Sequence, residues 1–360
     1  MKYFVLVGEA SGDMHAATYI RELRKRDPQA VFVGTGGEQM AEAGVRLLLH
    51  YRKMAFMGVI AVLRNAKQIR TNFRLVEQAL LDERPDVLIL VDYPSFNLKM
   101  AEFARTHLPG VKIVYYIPPK VWAWKTHRIH RIARLCDEVQ AIFPFEPDFY
   151  AKYGYHCTYI GNPTVKAITA WKKSNSAAVQ LPAAQRSNII AILPGSRKNE
   201  IRNCLPKMLK AAKETGLPIS IAQAPGIEEA FYQPYMTDGI CLEQDTWNLL
   251  SRAKVALVTS GTATLEAALL GCPQMAVYRI ITSRWLGWLR PFIFKIPYFT
   301  LVNIIAGKQV IYEAIGPHFS TANIRRELKR LLGDETYRQN MLNEYKTIYE
   351  KLEIPSGSGI

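Results

Sequence analysis

The stretch VALVTSGTATLE, residues 255–266, decides the fold class of this chain. It begins with four apolar residues, as in a buried strand of a parallel sheet, continues with small hydroxyl residues and a glycine, and ends in a segment with helical periodicity. A strand, a tight turn and a helix in this order are typical of a Rossmann-like domain. The free N–H groups of such a turn and the positive end of the helix dipole favour phosphate. We therefore expect the turn at Ser260, Gly261 and Thr262 to bind phosphate, and Glu266 to accept hydrogen bonds from sugar hydroxyls.

Strand-like and helical segments alternate along the whole chain, which predicts a parallel α/β architecture. The strand-like runs are Tyr3–Val7, Val31–Gly34, Val87–Val91, Val111–Tyr116, Glu138–Phe143, Asn188–Leu193, Pro218–Ala222, Val255–Val258 and Gln274–Tyr278. Residues 175–184 interrupt this pattern with Ser, Ala and Pro. We expect two tandem Rossmann-like domains, 1–170 and 171–335, with a ligand cleft between them. A charged helical tail, 336–360, follows. This tail either stays on the second domain or crosses back to the first.

Composition and charge restrict the class of protein. The 360 residues are 49% hydrophobic and carry a formal net charge of +15, so two domains can each bury a core. Because the basic residues are scattered beside apolar stretches, we expect an anionic membrane or a phosphorylated substrate as partner, and no nucleic acid. The five cysteines are widely spaced, as is typical of a cytosolic protein whose thiols stay reduced. We find no signal peptide and no apolar run of ~18 residues, and expect a cytoplasmic protein that touches a membrane from that side.

We expect neither a metal nor a cofactor. Of the seven histidines only His127 and His130 lie close together, and HExxH is absent. VDYPSFN, residues 91–97, lacks the second acid of a DxD-type metal clamp. Walker A and GxSxG sequences are also missing, which argues against a P-loop ATPase and a serine hydrolase.

Three motifs of the first domain follow strand-like runs. In GEASGD, 8–13, the glycines allow a ligand close to the backbone and Ser11 or Asp13 can cap the next helix, although an ordinary turn is the alternative. Asp92 is either a general base or part of an Asx turn before Pro94. PPKVWAWK, 118–125, is either a platform for a phosphorylated sugar or a structural aromatic wedge. The candidates for acceptor binding are Glu9, Ser11, Gly12, Asp13, Trp122 and Trp124.

Two further features concern phosphate and membrane. PGSR, 194–197, offers the backbone donors of Gly195 and Ser196 and the planar guanidinium of Arg197, or is an ordinary turn with a surface arginine. The segments 51–70 and 285–299 are apolar with Lys and Arg around them, as in interfacial membrane elements or in buried core helices. The candidates for acyl-chain contact are Met57, Val59, Ile60, Val62 and Leu63.

Ten motifs in order resemble the landmarks of the lipid-A-disaccharide synthase family, from about residue 3 to about residue 315: GEASGD, FMGVIAVL, VDYPSFN, PPKVWAWK, FPFE, IGNP, PGSR, TSGTATLE, CPQMAVYR and VNIIAGK. The resemblance implies the glycosyltransferase B fold and an inverting, metal-independent transfer. UDP-2,3-diacylglucosamine is the implied donor and 2,3-diacylglucosamine 1-phosphate (lipid X) the acceptor. The products are a β-1,6 disaccharide and UDP, made at the cytoplasmic face of the inner membrane. The alternatives are another UDP-N-acetylglucosamine enzyme of this fold and a non-catalytic membrane module that binds UDP-sugars.

The resemblance also implies residue roles. Asp92 would deprotonate the acceptor hydroxyl and Arg197 would neutralise charge on the leaving UDP. The turn at 260–262 would hold the diphosphate and Glu266 the ribose, while FMGVIAVL would meet acyl chains. Members of the family also suggest a homodimer. The sequence departs from the family pattern in two places. Ser95 stands where some members carry a second acid, and Pro119-Lys120 stands where a more hydroxyl-rich pair is usual. The resemblance also implies that three further residues lie near the nucleotide: Ser196, Asn303 and Gly307.

Overall fold

The computed structural model of the chain describes residues 1–54, 65–123, 125–175, 186–259, 261–279 and 297–353. The chain divides into two compact units, and the second begins at Asn162. The division therefore falls before the predicted boundary at 170. The reason is local: the Asn162 side chain accepts the Thr164 N–H and caps a helix that starts with Pro163. That helix is tied to the second unit through Lys172, whose Nζ donates to the Leu269 carbonyl at 2.6 Å.

The described part of the first unit is a parallel sheet with helices. Its strands run in the order β3-β2-β1-β4-β5-β6-β7, so the order reverses between β1 and β4. In chain order they are β1 (Lys2–Val7), β2 (Val31–Gly36), β3 (Arg46–His50), β4 (Val87–Val91), β5 (Lys112–Tyr116), β6 (Glu138–Ala141) and β7 (Thr158–Tyr159). The helices are α1 (Ala10–Arg26), α2 (Glu38–Glu42), α3 (Ala66–Glu83), α4 (Pro94–His107), α5 (Arg128–Leu135) and α6 (Glu146–Ala151).

The second unit repeats this architecture with a parallel sheet in the order β10-β9-β8-β11-β12-β13. Its strands are β8 (Ser187–Leu193), β9 (Ile219–Ala222), β10 (Ile240–Glu243), β11 (Ala253–Val258), β12 (Gln274–Tyr278) and β13 (Glu313–Ile315). The described helices are α7 (Pro163–Ser174), α8 (Lys198–Lys213), α9 (Thr246–Arg252), α10 (Thr262–Leu269), α11 (Leu301–Ala306), α12 (Thr321–Gly333) and α13 (Glu335–Leu352). This is the strand order of a Rossmann fold, so the predicted fold class of two Rossmann-like α/β domains is confirmed.

The apolar runs of the sequence form the centres of the two sheets. All five residues of β4 are buried, as are the last four residues of β8. Strands covered by helices on both faces read as continuous apolar runs, which explains why periodicity located them. The carboxyl ends of β1 and β4 lie at one edge of the first sheet, and those of β8 and β11 at one edge of the second.

The described part of the predicted tail, up to Glu353, belongs to the second unit and is almost entirely helical, and residues 354–360 lie outside the described residues. Helix α13 begins at Glu335 and packs against α10, α11 and α12. Its buried face consists of Met341, Tyr345, Ile348 and Leu352. The predicted boundary near 335 thus falls at a helix cap, where the Asp334 side chain accepts the Tyr337 N–H.

Candidate functional site

Asp92 follows β4 in an unusual backbone conformation. Its φ is +44° and that of Tyr93 is +41°, in the left-handed region that residues other than glycine seldom adopt. The Asp92 carbonyl accepts hydrogen bonds from the Tyr115 hydroxyl at 2.8 Å and from Asn97 Nδ2 at 2.8 Å. Backbone strain that the surrounding structure enforces at a strand end is a common property of functional sites.

The surroundings of Asp92 suit a proton acceptor. Burial raises the pKa of its carboxyl, while the positive charge of Lys120 and a hydrogen bond from the Tyr93 backbone oppose that rise. Asp92 remains partly accessible to solvent, so that a hydroxyl of a ligand can reach it. A carboxylate whose pKa is raised is a stronger base once it is ionised.

GEASGD contributes mainly packing, which corrects part of our expectation. The buried carboxylate of Asp13 lies inside α1 and accepts backbone N–H groups at the start of α2, from Gly37 at 2.6 Å and from Gln39 at 3.1 Å. It therefore caps α2 and offers nothing to an acceptor. Gly12 is buried, with Val7 Cγ1 3.0 Å from where a Cβ would lie. Glu9 is partly exposed and Ser11 is exposed, so both remain candidates for acceptor binding.

Trp122 is a structural wedge and not an open platform. It is buried, and its indole N–H donates to Glu146 at 3.0 Å. Glu146 also accepts the Phe143 N–H at 3.0 Å, and burial raises the pKa of this carboxyl to about 7. The pair fixes the loop after β6 against the loop after β5. The sequence signal for Glu146 was its position as the one acid of FPFE; the other predicted tryptophan, Trp124, lies outside the described residues.

In the second unit, PGSR forms the turn between β8 and α8. Gly195 has a φ of +112°. The Ser196 N–H donates to Glu200 Oε2 at 3.0 Å, and Arg197 Nη1 lies 3.4 Å from Glu200 Oε1. The backbone donor and the guanidinium that we expected to meet phosphate thus already face an anionic group. Glu200 lies in the first turn of α8, and our sequence analysis gave it no role.

The other predicted phosphate turn, at 260–262, follows β11, which is the neighbour of the strand that precedes PGSR. Strands β8 and β11 are neighbours, and the Thr259 N–H donates to the Leu193 carbonyl at 2.8 Å. Gly261, with a φ of +148°, precedes α10 and is exposed, as is Thr262. Ser260 lies outside the described residues.

Glu266 is one turn into α10 and partly buried. Burial raises the pKa of its carboxyl, and a hydrogen bond from Trp247 Nε1, 3.3 Å from Glu266 Oε2, opposes the rise. Trp171 packs edge-on against Trp247, with ring centroids 6.0 Å apart. A partly desolvated carboxylate favours further hydrogen-bond donors, and sugar hydroxyls can supply them.

The Asn303 side chain holds the fold and has no hydrogen-bonding position left for a nucleotide, whereas Gly307 is exposed and stays a candidate. Asn303 is completely buried, and its Nδ2 donates to the Ile311 carbonyl and to Glu313 at 2.9 Å each. Its Oδ1 accepts the N–H groups of Val310 and Ile311. Since this uses every hydrogen-bonding position of the amide, the expectation of nucleotide contact is corrected. Gly307, at a φ of +73°, ends α11 as its C-cap.

Arg279 is a cation that our sequence reasoning left without a role. It follows β12, is exposed, and donates from Nη1 to Asn203 Oδ1 on α8 at 2.8 Å. The sequence signal was its place at the end of CPQMAVYR. It adds a second guanidinium beside the helix that starts at PGSR.

Two further expectations concern metal binding and contact with acyl chains. In the described ranges no group of three or more His, Cys, Asp and Glu side chains is arranged to hold a metal ion. The predicted acyl contacts Met57, Val59, Ile60, Val62 and Leu63 all lie in 55–64, outside the described residues, as does most of 285–299.

Comparisons with known proteins agree with the motifs. A family model described as lipid-A-disaccharide synthetase matches residues 3–356. The lipid-A-disaccharide synthase of Nitrosococcus oceani is 35% identical over 97% of this chain and 91% of that protein. The synthase of Myxococcus xanthus is 35% identical over 95% of this chain and 90% of that protein.

A solved structure shares the fold. UDP-GlcNAc 2-epimerase from Neisseria meningitidis, bound to UDP-GlcNAc, aligns with a TM-score of 0.64 at 17% identity, over 98% of this chain and 99% of that one. At this identity the likeness speaks for the fold alone. The family model and the relatives, by contrast, match nearly the entire sequence, and on that ground the chain belongs to the lipid-A-disaccharide synthase family.

Proposed function

We propose that this protein transfers the 2,3-diacylglucosamine unit of UDP-2,3-diacylglucosamine to a hydroxyl of 2,3-diacylglucosamine 1-phosphate (lipid X). The acceptor oxygen forms a bond to the anomeric carbon, the bond from that carbon to UDP breaks, and the acceptor proton leaves. The products are a β-1,6-linked disaccharide 1-phosphate and UDP. The observation that carries this proposal is the match of the family model to residues 3–356.

Asp92 is the proposed proton acceptor. Its raised pKa favours proton transfer from a hydroxyl, and the nearby charge of Lys120 favours the ionised form that must be present first. Its left-handed backbone lies at the carboxyl end of β4, at the position where the strand order of the first sheet reverses. Ligands of open α/β sheets bind at such positions.

The second unit holds UDP in this proposal. The diphosphate takes the Ser196 N–H and the Arg197 guanidinium, and the Glu200 carboxylate turns away from both. The N-terminal ends of α8 and α10 add positive potential where charge develops on the leaving group. Glu266, held by Trp247, accepts the ribose hydroxyls.

An anionic membrane is the proposed location. In the described part of the chain, no helix is both long and apolar enough to span a bilayer. Lys53, Lys67, Arg70 and Arg74 are exposed on both sides of the apolar segment 55–64, and such a basic rim attracts anionic headgroups. We place the protein at the cytoplasmic face of the inner membrane, either as a monomer or as a homodimer.

The membrane part of the proposal is tested by flotation with vesicles that contain anionic phospholipid. The variant K67E/R70E/R74E should lose most of the bound fraction, while the charge reversal K210E/K213E on α8 should keep it. Equal flotation of both variants would contradict this membrane surface.

The reaction is tested directly by mass spectrometry. Purified protein is incubated with UDP-2,3-diacylglucosamine and lipid X in the presence of EDTA. We expect a tetra-acylated disaccharide 1-phosphate together with UDP. If no disaccharide forms, with or without added Mg²⁺, the substrate assignment is overturned, and UDP-N-acetylglucosamine becomes the next donor to try.

A further inference from the structure

We propose that Tyr115 is a positioning residue that aims the Asp92 carboxylate by holding the main chain of Asp92 in its left-handed conformation. The proposal rests on the function proposed above, in which Asp92 accepts the proton of the acceptor. It assigns a role to a buried tyrosine that does not itself touch substrate.

The contact that carries this inference joins two neighbouring strands. Tyr115 lies on β5, where it pairs with Leu90 of β4, two residues before Asp92. Its side chain is completely buried, and its hydroxyl donates to the Asp92 carbonyl at 2.8 Å. Burial, with the negative charge of Asp92, raises the pKa of this hydroxyl, so that it stays protonated and continues to donate.

The conformation at Asp92 needs such a tether. Consecutive φ values of +44° and +41° are unfavourable for residues with a Cβ, and without restraint the chain would relax to an extended form. A change in these angles redirects the bond from Cα to Cβ, and with it the carboxylate. Pre-organised geometry is what a general base requires, since a displacement of about 1 Å costs up to about 100-fold in rate.

Other contacts support the same turn, but they are of a different kind. Asn97, in the first turn of α4, donates its Nδ2 to the Asp92 carbonyl at 2.8 Å and to the Val91 carbonyl at 3.1 Å. The Tyr93 hydroxyl donates to the Met54 carbonyl at 2.6 Å, and the Tyr93 ring covers Gly8, where a Cβ would lie 2.4 Å from ring carbons. Asn97 is local to the turn, whereas Tyr115 connects it to the rigid centre of the sheet.

The chain offers a matched control for Tyr115. Tyr150 is also completely buried and belongs to the same hydrophobic cluster. Within the part of the chain that the structure describes, its hydroxyl is buried without a hydrogen-bond partner. Tyr115→Phe and Tyr150→Phe therefore remove the same atom from the same core, and only the first removes a hydrogen bond to Asp92.

The experiment compares steady-state kinetics of the two variants, with Asp92→Asn beside them. We expect Tyr115→Phe to lower kcat by about 10- to 100-fold, with KM for both substrates and the Kd for UDP close to wild type. Tyr150→Phe should keep the wild-type kcat. Thermal melting of each variant verifies that it is folded at the assay temperature.

A kcat of Tyr115→Phe equal to that of Tyr150→Phe would overturn the inference, and so would a loss that appears in KM alone. If Asp92→Asn retains activity, the proposed role of Asp92 as proton acceptor fails, and this result is distinct from failure of the tether. Asn97→Ala, which removes the second donor to the same carbonyl, is the variant to use if Tyr115→Phe does not fold. It should again lower kcat without a change in KM.

Discussion

The strand ends of the two units form their turns in opposite ways. After β4 and β5 of the first unit, Asp92, Tyr93 and Ile117 adopt positive φ although each carries a Cβ. After β8 and β11 of the second unit, Gly195 and Gly261 take that role. Glycine adopts positive φ with little steric cost and leaves backbone N–H groups uncovered. A turn that presents a side chain must bear strain, whereas a turn that presents its backbone avoids it.

The difference also extends to what holds each turn. In the first unit, buried donors from Tyr115 and Asn97 fix the Asp92 carbonyl, and the carboxylate of this proposed base projects from that fixed main chain. In the second unit, the Ser196 N–H and Arg197 are paired with Glu200, a charged side chain that can rotate. This contrast predicts that changes in the first unit affect the rate of the chemical step, and that changes in the second affect nucleotide affinity.

The largest expected effect is that of Asp92→Asn, which keeps the shape of the side chain and removes the proposed base. We expect kcat to fall by about 10³-fold, within the range of general base catalysis. Circular dichroism and melting should match wild type, since the contacts that hold residue 92 involve its main chain. Turnover within tenfold of wild type would remove Asp92 from the mechanism.

Asn303→Ala separates structure from binding in the second unit. Loss of the buried amide leaves the N–H groups of Val310 and Ile311 without their acceptor, and should lower the free energy of unfolding by about 3 kcal/mol. Hydrogen exchange of the region around α11 and β13 measures this loss. The Kd for UDP should stay unchanged below the melting temperature. The opposite pattern, normal exchange with weak UDP binding, would restore Asn303 as a nucleotide ligand.

Gly195→Ala tests the turn that presents backbone donors. An added Cβ would lie 2.8 Å from both Cβ and Oε2 of Glu200, and the φ of +112° would become strained. We expect UDP to bind about tenfold more weakly by calorimetry, equivalent to about 1.4 kcal/mol.

Gly216→Ala is the control for backbone strain alone. Gly216 has a φ of +70°, and among the described residues no atom lies within 4 Å of the Cβ that alanine would add. Gly216 precedes β9, so it lies at the amino end of that strand, whereas Gly195 follows the carboxyl end of β8. UDP should bind this variant as it binds wild type. Equal affinity in the two variants would show that the contact with Glu200 does not matter for the nucleotide.

The smallest expected effect is that of Trp247→Phe, and it depends on pH. The Trp247 N–H lowers the pKa of Glu266, so its removal raises that pKa further above the ordinary glutamate value. Binding of ribose hydroxyls uses the ionised carboxylate and weakens as the pH falls through this pKa. In a profile of UDP affinity against pH, the acid limb should therefore move to higher pH. At neutral pH the Kd for UDP should change by about twofold.

Trp171→Phe is the control for the tryptophan pair, because Trp171 touches the Trp247 ring and its substitution leaves the hydrogen bond to Glu266 in place. Its acid limb should coincide with that of wild type. An unshifted limb in Trp247→Phe would mean that Trp247 does not tune Glu266.

Periodicity predicted the sheet centres and missed their edges. The strands β3, β7, β10 and β13 were not predicted, and they are the outer strands of the two sheets. An edge strand is covered by a neighbouring strand on one side only; β3, for instance, has a single buried residue, Leu49. Two of these outer strands are also short, since β7 is only Thr158–Tyr159 and β13 only Glu313–Ile315, and neither has the continuous apolar run of a central strand. The Leu47–Leu49 run of β3 is apolar and was missed all the same.

Motifs located the strand ends of the site but not the partners of each side chain. Asp13, Trp122 and Asn303 all lie in motifs that resemble family landmarks, yet their polar atoms are used within the protein. Their partners Gly37, Glu146 and Glu313 lie in other segments of the chain, and spacing along the chain does not reveal such pairs. The positions of Asp92 and Arg197 were predictable because both residues follow a strand end, which periodicity does locate; their roles stay predictions.

The most direct test of this division of labour is the affinity for UDP, measured by calorimetry in parallel for wild type, Asp92→Asn and Arg197→Ala. We expect Asp92→Asn to bind UDP as wild type does while turnover is lost. Arg197→Ala should bind UDP at least about tenfold more weakly, because a charge-assisted hydrogen bond contributes about 1.5–3 kcal/mol. A loss of UDP affinity in Asp92→Asn as large as that in Arg197→Ala would contradict the assignment of base chemistry to the first unit and nucleotide binding to the second.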